Sequence, residues 1–168
     1  QAQRWALLGV LALALSLRLW GLGRESLWFD EAYSVAFGRN PLSAFSLLRL
    51  EGPPFTDRNL YHLFLHFWLP LGDAEWLIRL PSALFGVGTV YVVYRLGVTL
   101  WDEMAGLLAG LLLAVSPYHV WFSQEARMYA PVTLAAAIGS YLFWRLREGQ
   151  GTRYLAGYVL AMAAALYS

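Results

Sequence analysis

Apolar residues in this chain fall in long runs rather than in a narrow helical stripe. The run over 5–22 is broken only by Ser16 and Arg18 and carries Trp5 and Trp20 near its ends. At 1.5 Å per residue it covers roughly 27 Å, close to a hydrocarbon core of about 30 Å. Gly21 and Gly23 then end it. Four further spans are predicted over 77–101, 104–122, 129–146 and 154–168, with Ser116-Pro117 interrupting the third segment near its end. Residues 24–76 alternate apolar and polar character. There, 31–50 predicts two short interfacial helices broken near Gly38–Pro41, and Glu51-Gly-Pro-Pro54 a turn. Leu60–Leu71 is apolar and aromatic but too short to span, which predicts a juxtamembrane or re-entrant helix. The expected fold class is all-α: one polytopic transmembrane helix bundle over 1–168, with juxtamembrane helices in its first external loop.

Composition agrees. Of 168 residues, 59% are hydrophobic, against roughly 45–50% apolar in soluble domains. All 12 basic residues are Arg, and a net charge of +1 supplies no basic stripe for nucleic acid. The absence of Cys excludes disulfides and thiolate chemistry. The first run is too long for a signal peptide and has no small-residue cleavage site before Trp20, so it is expected to stay as an anchor. The chain starts at Gln1 and stops inside an apolar run, so it is expected to be a piece of a longer protein. With alternating spans, 24–79 and 123–129 emerge on one face. Arg does not fix orientation, with five on one face and seven on or near the other, but eight of the eleven acids lie on the face carrying 24–79. That face is expected to be the working side.

Two polar clusters emerge there. In Trp28-Phe29-Asp30-Glu31-Ala32-Tyr33-Ser34, two adjacent carboxylates sit between aromatics at the membrane surface, where acids are costly and usually functional. Neighbours on a helix point about 100° apart, so one acid is expected to face the site and the other to pair. Asp30 suits a general base or a ligand for a divalent cation beside a phosphate; alternatively it caps a helix starting at Glu31. In the second cluster, Ser123-Gln124-Glu125-Ala126-Arg127-Met128-Tyr129, Arg127 offers a planar donor fork suited to phosphate, and Glu125 and Tyr129 are placed to share a helix face. Alternatively Arg127 snorkels to water beside Tyr129 in an aromatic belt. Arg79, just inside the second span, needs a partner: Glu31, Glu125 or a phosphate. His62 and His66 have zinc-compatible i,i+4 spacing without an intervening Glu; use as amphipathic interfacial residues is the competing assignment. Gly86-x-Gly88 and Gly106-x-x-x-Gly110 predict close helix packing.

Four stretches resemble, in order, the N-terminal part of GT-C fold membrane glycosyltransferases of the protein O-mannosyltransferase-like group, glycosyltransferase family 39 and relatives. They are Leu27–Ser34, Leu60–Trp68, Arg79-Leu-Pro-Ser-Ala-Leu-Phe-Gly86 and Ser116–Tyr129. The resemblance implies transfer of a sugar from a polyprenyl-phosphate donor to an acceptor hydroxyl, with inversion, on the outer face of a bacterial cytoplasmic membrane. It matches Asp30 to the carboxylate at the acceptor with Glu31 beside it, Arg79 to a basic residue close by, and Arg127 more weakly to a role near the donor phosphate. One departure is that Glu51-Gly-Pro-Pro54 is separated from Leu60-Tyr61, where relatives join a Pro-Pro turn directly to the Tyr-rich helix. Expected partners are the lipid-linked sugar and membrane lipids, with a divalent metal left open. The alternative is a non-catalytic accessory transmembrane subunit of a larger membrane complex, docked against its other subunits.

Overall fold

A computed structural model describes residues 1–42, 45, 60–149 and 151–168. Eight α-helices occur among them: α1 (Ala2–Leu19), α2 (Phe29–Gly38), α3 (Leu60–Trp68), α4 (Glu75–Leu100), α5 (Glu103–Ala114), α6 (Pro117–Ser123), α7 (Tyr129–Arg147) and α8 (Arg153–Tyr167). No strand occurs among the described residues, and the fold is an all-α bundle. The second interfacial helix and the Glu51–Pro54 turn expected from the sequence lie outside the described residues. Helix α1 and helix α4 are each long and apolar enough to cross a membrane, and α5 with α6 makes a third candidate bent by 64°. Helix α7 packs along α8 and α4, and α4 also packs on α5 and α1. Large apolar side chains face outward along these helices: Leu112 is 69% exposed and Leu160 70%. A surface of that kind needs lipid against it, and the protein is an integral membrane protein.

Each helix irregularity is met by a polar side chain from elsewhere. Pro117 opens α6 at the position where a missing N–H costs least, but the break leaves the last carbonyls of α5 without helical partners. Arg18 of α1 supplies them. Its Nη1 donates to the carbonyls of Ala14 and Ala114 at 2.9 and 3.2 Å, its Nη2 lies 3.5 Å from that of Leu113, and the negative end of the α5 dipole faces its charge. Nη2 also donates to His119 Nδ1 at 2.7 Å, a ring nitrogen that must then be unprotonated. In return, Gln124 donates from Nε2 to the carbonyls of Leu17, Arg18 and Trp20, capping α1. Pro81 inside α4 cannot bond the carbonyl of Leu77, and the Trp68 indole N–H takes that carbonyl at 2.9 Å.

Small residues set the closest approaches. A Cβ on Gly97 would lie 2.7 Å from Gly106 Cα, so α4 and α5 touch backbone to backbone. A Cβ on Gly86 would lie 2.8 Å from Arg18 Nε and would also run into the Ser123 hydroxyl. Helices α1, α4 and α6 therefore meet at Gly86, which brings the loop after α6 to the end of the bundle where α2 sits.

Candidate functional site

Helix α2 buries Glu31, Ser34, Val35 and Gly38, a single face at i, i+3, i+4 and i+7 spacing. Val35 joins Tyr61, Leu65, Leu69, Ile78 and Ala126 in a small core. The helix starts at Phe29 with Trp28 as its N-cap. Asp30 therefore lies in the first turn, and the expectation that it caps a helix beginning at Glu31 is corrected. The cap partner is Glu31, whose Oε2 accepts the Trp28 backbone N–H at 3.3 Å.

Glu31 is fully buried and joins the two clusters. Arg79 donates to it through Nε (2.8 Å) and Nη2 (2.6 Å), and its Oε1 also accepts the backbone N–H of Ala126 at 2.8 Å. Arg79 further donates through Nη1 to the carbonyls of Leu22 and Glu25, and through Nη2 to that of Ser26. All five N–H groups of Arg79 and all four acceptor positions of Glu31 are thus engaged. Of the three partners open to Arg79, the structure supplies Glu31. This knot ties the end of α1, the start of α2, the first turns of α4 and the loop after α6 into one unit. In this geometry Arg79 has no donor left for a phosphate, and Glu31 no lone pair for a proton or a metal.

Asp30 differs. Its side chain is 41% exposed and lies 3.8 Å from Nη2 of Arg127, whose Nη1 donates to the Asp30 backbone carbonyl at 3.2 Å. The Arg127 guanidinium also stands 5.6 Å from the centre of the Tyr129 ring, and Tyr129 contacts Phe122. Arg127 Nε has no hydrogen-bond partner.

Glu125 lies in the loop between α6 and α7, so the expected shared helix face with Tyr129 is corrected: α7 begins only at Tyr129. Its partner lies the other way, because the Trp121 indole N–H donates to Oε1, while Oε2 has no partner. Glu125 is 6% exposed. Burial holds its carboxyl above the usual carboxylate range; the charges of Glu31 and Asp30 act in the same direction, and the Trp121 N–H and Arg127 oppose. An open cavity of about 560 Å³ lies beside it. Its wall includes Trp20, Trp28, Trp121, Arg24, Glu25, Gln124 and Glu125 together with Glu31 and Arg79; Asp30 is not part of the wall.

The histidines are placed otherwise. His66 donates from Nδ1 to the carbonyl of Gly38 at 3.0 Å, and the His62 ring packs 4.9 Å from that of Phe37. Among the described residues no group of three or more His, Cys, Asp or Glu is gathered to hold a metal.

The tryptophan side of the cavity, the capping roles of Arg18 and Gln124, and the acceptor role of His119 are not legible in the sequence. An Arg inside an apolar span is the available signal, but its partners beyond α1, the carbonyls of Ala114 and Leu113, are 96 and 95 residues away.

An all-α bundle with a lipid-facing exterior and a polar, partly open candidate site at one end defines an integral membrane protein. The chain belongs to the dolichyl-phosphate-mannose-protein mannosyltransferase family, whose model matches residues 60–168. It is also similar to a Bacillus subtilis (strain 168) protein named "Putative mannosyltransferase YycA", at 27% identity over 95 residues. That match covers 56% of this chain and 14% of the relative, so the chain spans only a small part of the relative's length. No solved structure matches. Arg79, Glu125, Arg127 and Tyr129 fall within the family match; Asp30 and Glu31 precede it.

Proposed function

We propose that this chain is the site-bearing N-terminal module of a longer membrane glycosyltransferase. That enzyme moves a sugar from a polyprenyl-phosphate donor to an acceptor hydroxyl on the outer face of the membrane, and the module crosses the membrane five times. The observation that carries the proposal is the division of labour within the Asp30–Glu31 pair. Glu31 is locked by four hydrogen bonds, while Asp30, one residue earlier, keeps a partly exposed carboxylate beside Arg127.

In the reaction, the acceptor oxygen attacks the anomeric carbon, Asp30 takes the hydroxyl proton, and the bond from that carbon to the phosphate oxygen breaks. The phosphate leaves with the electron pair, and the positive charge of Arg127 stabilises it. A single displacement needs one base and inverts the anomeric centre; its oxocarbenium-like transition state is of the kind met in glycoside hydrolysis. Arg127 has capacity for this role, because its Nη1 holds the Asp30 carbonyl and its Nη2 lies 3.8 Å from the Asp30 carboxylate, whereas Arg79 is saturated. Glu31 and Arg79 act as the scaffold that aims α2.

Asp30→Asn in the full-length enzyme tests this. Transfer of sugar from a polyprenyl-phosphate sugar to acceptor is expected to fall by roughly 10²–10⁴, with the melting temperature little changed. Turnover at the parent rate removes Asp30 as the base.

A further inference from the structure

The cavity beside the knot calls for an occupant that the scheme above does not specify. Glu125 lines it and carries a buried oxygen, Oε2, with no partner, and Trp20, Leu22, Trp28 and Trp121 are its large apolar lining residues. We propose that this cavity is the subsite for the sugar ring of the lipid-linked donor, with Glu125 as the residue that anchors a ring hydroxyl. This deepens the glycosyltransferase assignment and rests on it.

Four observations carry it. A pyranose has flat faces of C–H groups and a rim of hydroxyls, so it needs aromatic surface and a few polar anchors in one concavity. The three indoles and Glu125 supply that combination. The Trp121 N–H donates to one oxygen of Glu125 while the other has no partner, and the broad terminal torsion of a Glu side chain lets the carboxylate turn as a unit toward a ligand hydroxyl at little cost. A phosphate is disfavoured at this acid, since a carboxyl gaining charge beside it would repel it. A cationic ligand is disfavoured too: the Arg24 guanidinium already stands 5.6 Å from the Trp20 ring, and Glu31 is neutralised by Arg79. Finally, Arg127 and Asp30 lie outside the cavity wall but beside the same loop and α2. The anomeric end of the ring, with the phosphate it bears and the hydroxyl that attacks it, is then the part that reaches Asp30 and Arg127. The site residue Glu125 is thereby assigned to the sugar rather than to the phosphate.

Tryptophan fluorescence of the full-length protein supplies the test, using two probes: a short-chain prenyl-phosphate mannose and the same prenyl phosphate without sugar. The parent protein is expected to bind the mannose-bearing probe at least tenfold more tightly. Glu125→Ala is expected to remove most of that difference while leaving affinity for the sugar-free probe unchanged. Equal affinities of the parent for both probes, or an undiminished sugar preference in Glu125→Ala, overturns the proposal. A measurement on the unaltered chain guards against misfolding of the variant. A probe with a photoreactive diazirine on its mannose is expected to label the peptides holding Trp20–Trp28 and Trp121–Glu125, and labelling confined to other segments overturns the assignment. Asp30→Asn separates the two readings: it is expected to keep the sugar preference while losing turnover. A variant that turns over normally yet keeps that preference would sink the choice of base and leave the subsite standing.

Discussion

Glu31 and Glu125 are both carboxylates more than nine-tenths buried at the same end of one bundle, yet they are opposites. Glu31 accepts four hydrogen bonds, two from a guanidinium whose every donor is engaged. Glu125 accepts one, from an indole, and has an oxygen with no partner next to an open cavity. Burial alone therefore does not mark function. A polar group with every bond made is part of the frame, and the same group left unfinished at a cavity is available to a ligand. The adjacent pair Asp30 and Glu31 repeats the contrast over a single residue, with the saturated member aiming the open one.

The saturated side of this comparison carries the largest expected effect. Glu31→Ala leaves the Arg79 guanidinium buried without its counter-charge, and removing one partner of a buried pair costs about 3–5 kcal/mol. The backbone N–H groups of Ala126 and Trp28 lose their acceptor as well. Denaturant or thermal unfolding in micelles should show this loss. A cost below about 1 kcal/mol would mean that the knot does not hold the frame, and the contrast with Glu125 would collapse.

Arg18 stands between the two extremes, which makes it the next test. It is fully buried with no acid beside it, its Nε is unpartnered, and its other donors hold carbonyls at the α5–α6 break and the His119 ring. Arg18→Met removes a buried charge but takes the donor from the Ala114 carbonyl, while that of Leu113 keeps the Ser116 N–H, a net destabilisation of about 1–3 kcal/mol. Unfolding curves check it. A stability equal to the parent's would show that the carbonyls find other donors and that the cap contributes little.

Much of the frame could be read from the sequence because lipid imposes coarse rules. Runs of apolar residues, Ser116-Pro117 within one of them, and Gly106-x-x-x-Gly110 pointed to helices, a break and a tight contact, and the family resemblance came from motifs in the same order. The site was legible in outline only. Two acids that cannot face one atom implied one open and one paired member, but which partner Arg79 takes depends on a turn of chain at Leu22–Ser26 that no periodicity encodes. Arg18 illustrates the limit: its partners are backbone carbonyls, which every residue has, so no pairing of residue types reveals them. The cavity was invisible for a similar reason. Trp20, Trp28 and Trp121 each fit an aromatic belt when taken singly, and only the packing of α6 beside the α1–α2 connection brings them to one hollow.

The smallest predicted effect comes from the unfinished side, and only through pH. The Glu125 carboxyl is held above its ordinary range in the folded protein, so above an ordinary Glu value of about 4.3 the unfolded chain loses a proton that the native state keeps. The native state then binds more protons than the unfolded one, and stability falls as pH rises from that value through the raised native pKa. Beyond it both states are ionised and the offset is constant. Glu125→Gln has no such titration, keeps an acceptor for the Trp121 indole, and leaves Asp30, Glu31 and Arg127 in place. The difference in melting temperature between variant and parent, followed from pH 4 to pH 8, should therefore move in favour of the variant as pH rises and then level off. A flat difference would mean that Glu125 ionises in the folded protein as readily as in the unfolded chain. A trend of opposite sign would mean that the folded protein stabilises its charge, placing Glu125 with Glu31 among the satisfied acids and removing the contrast between them.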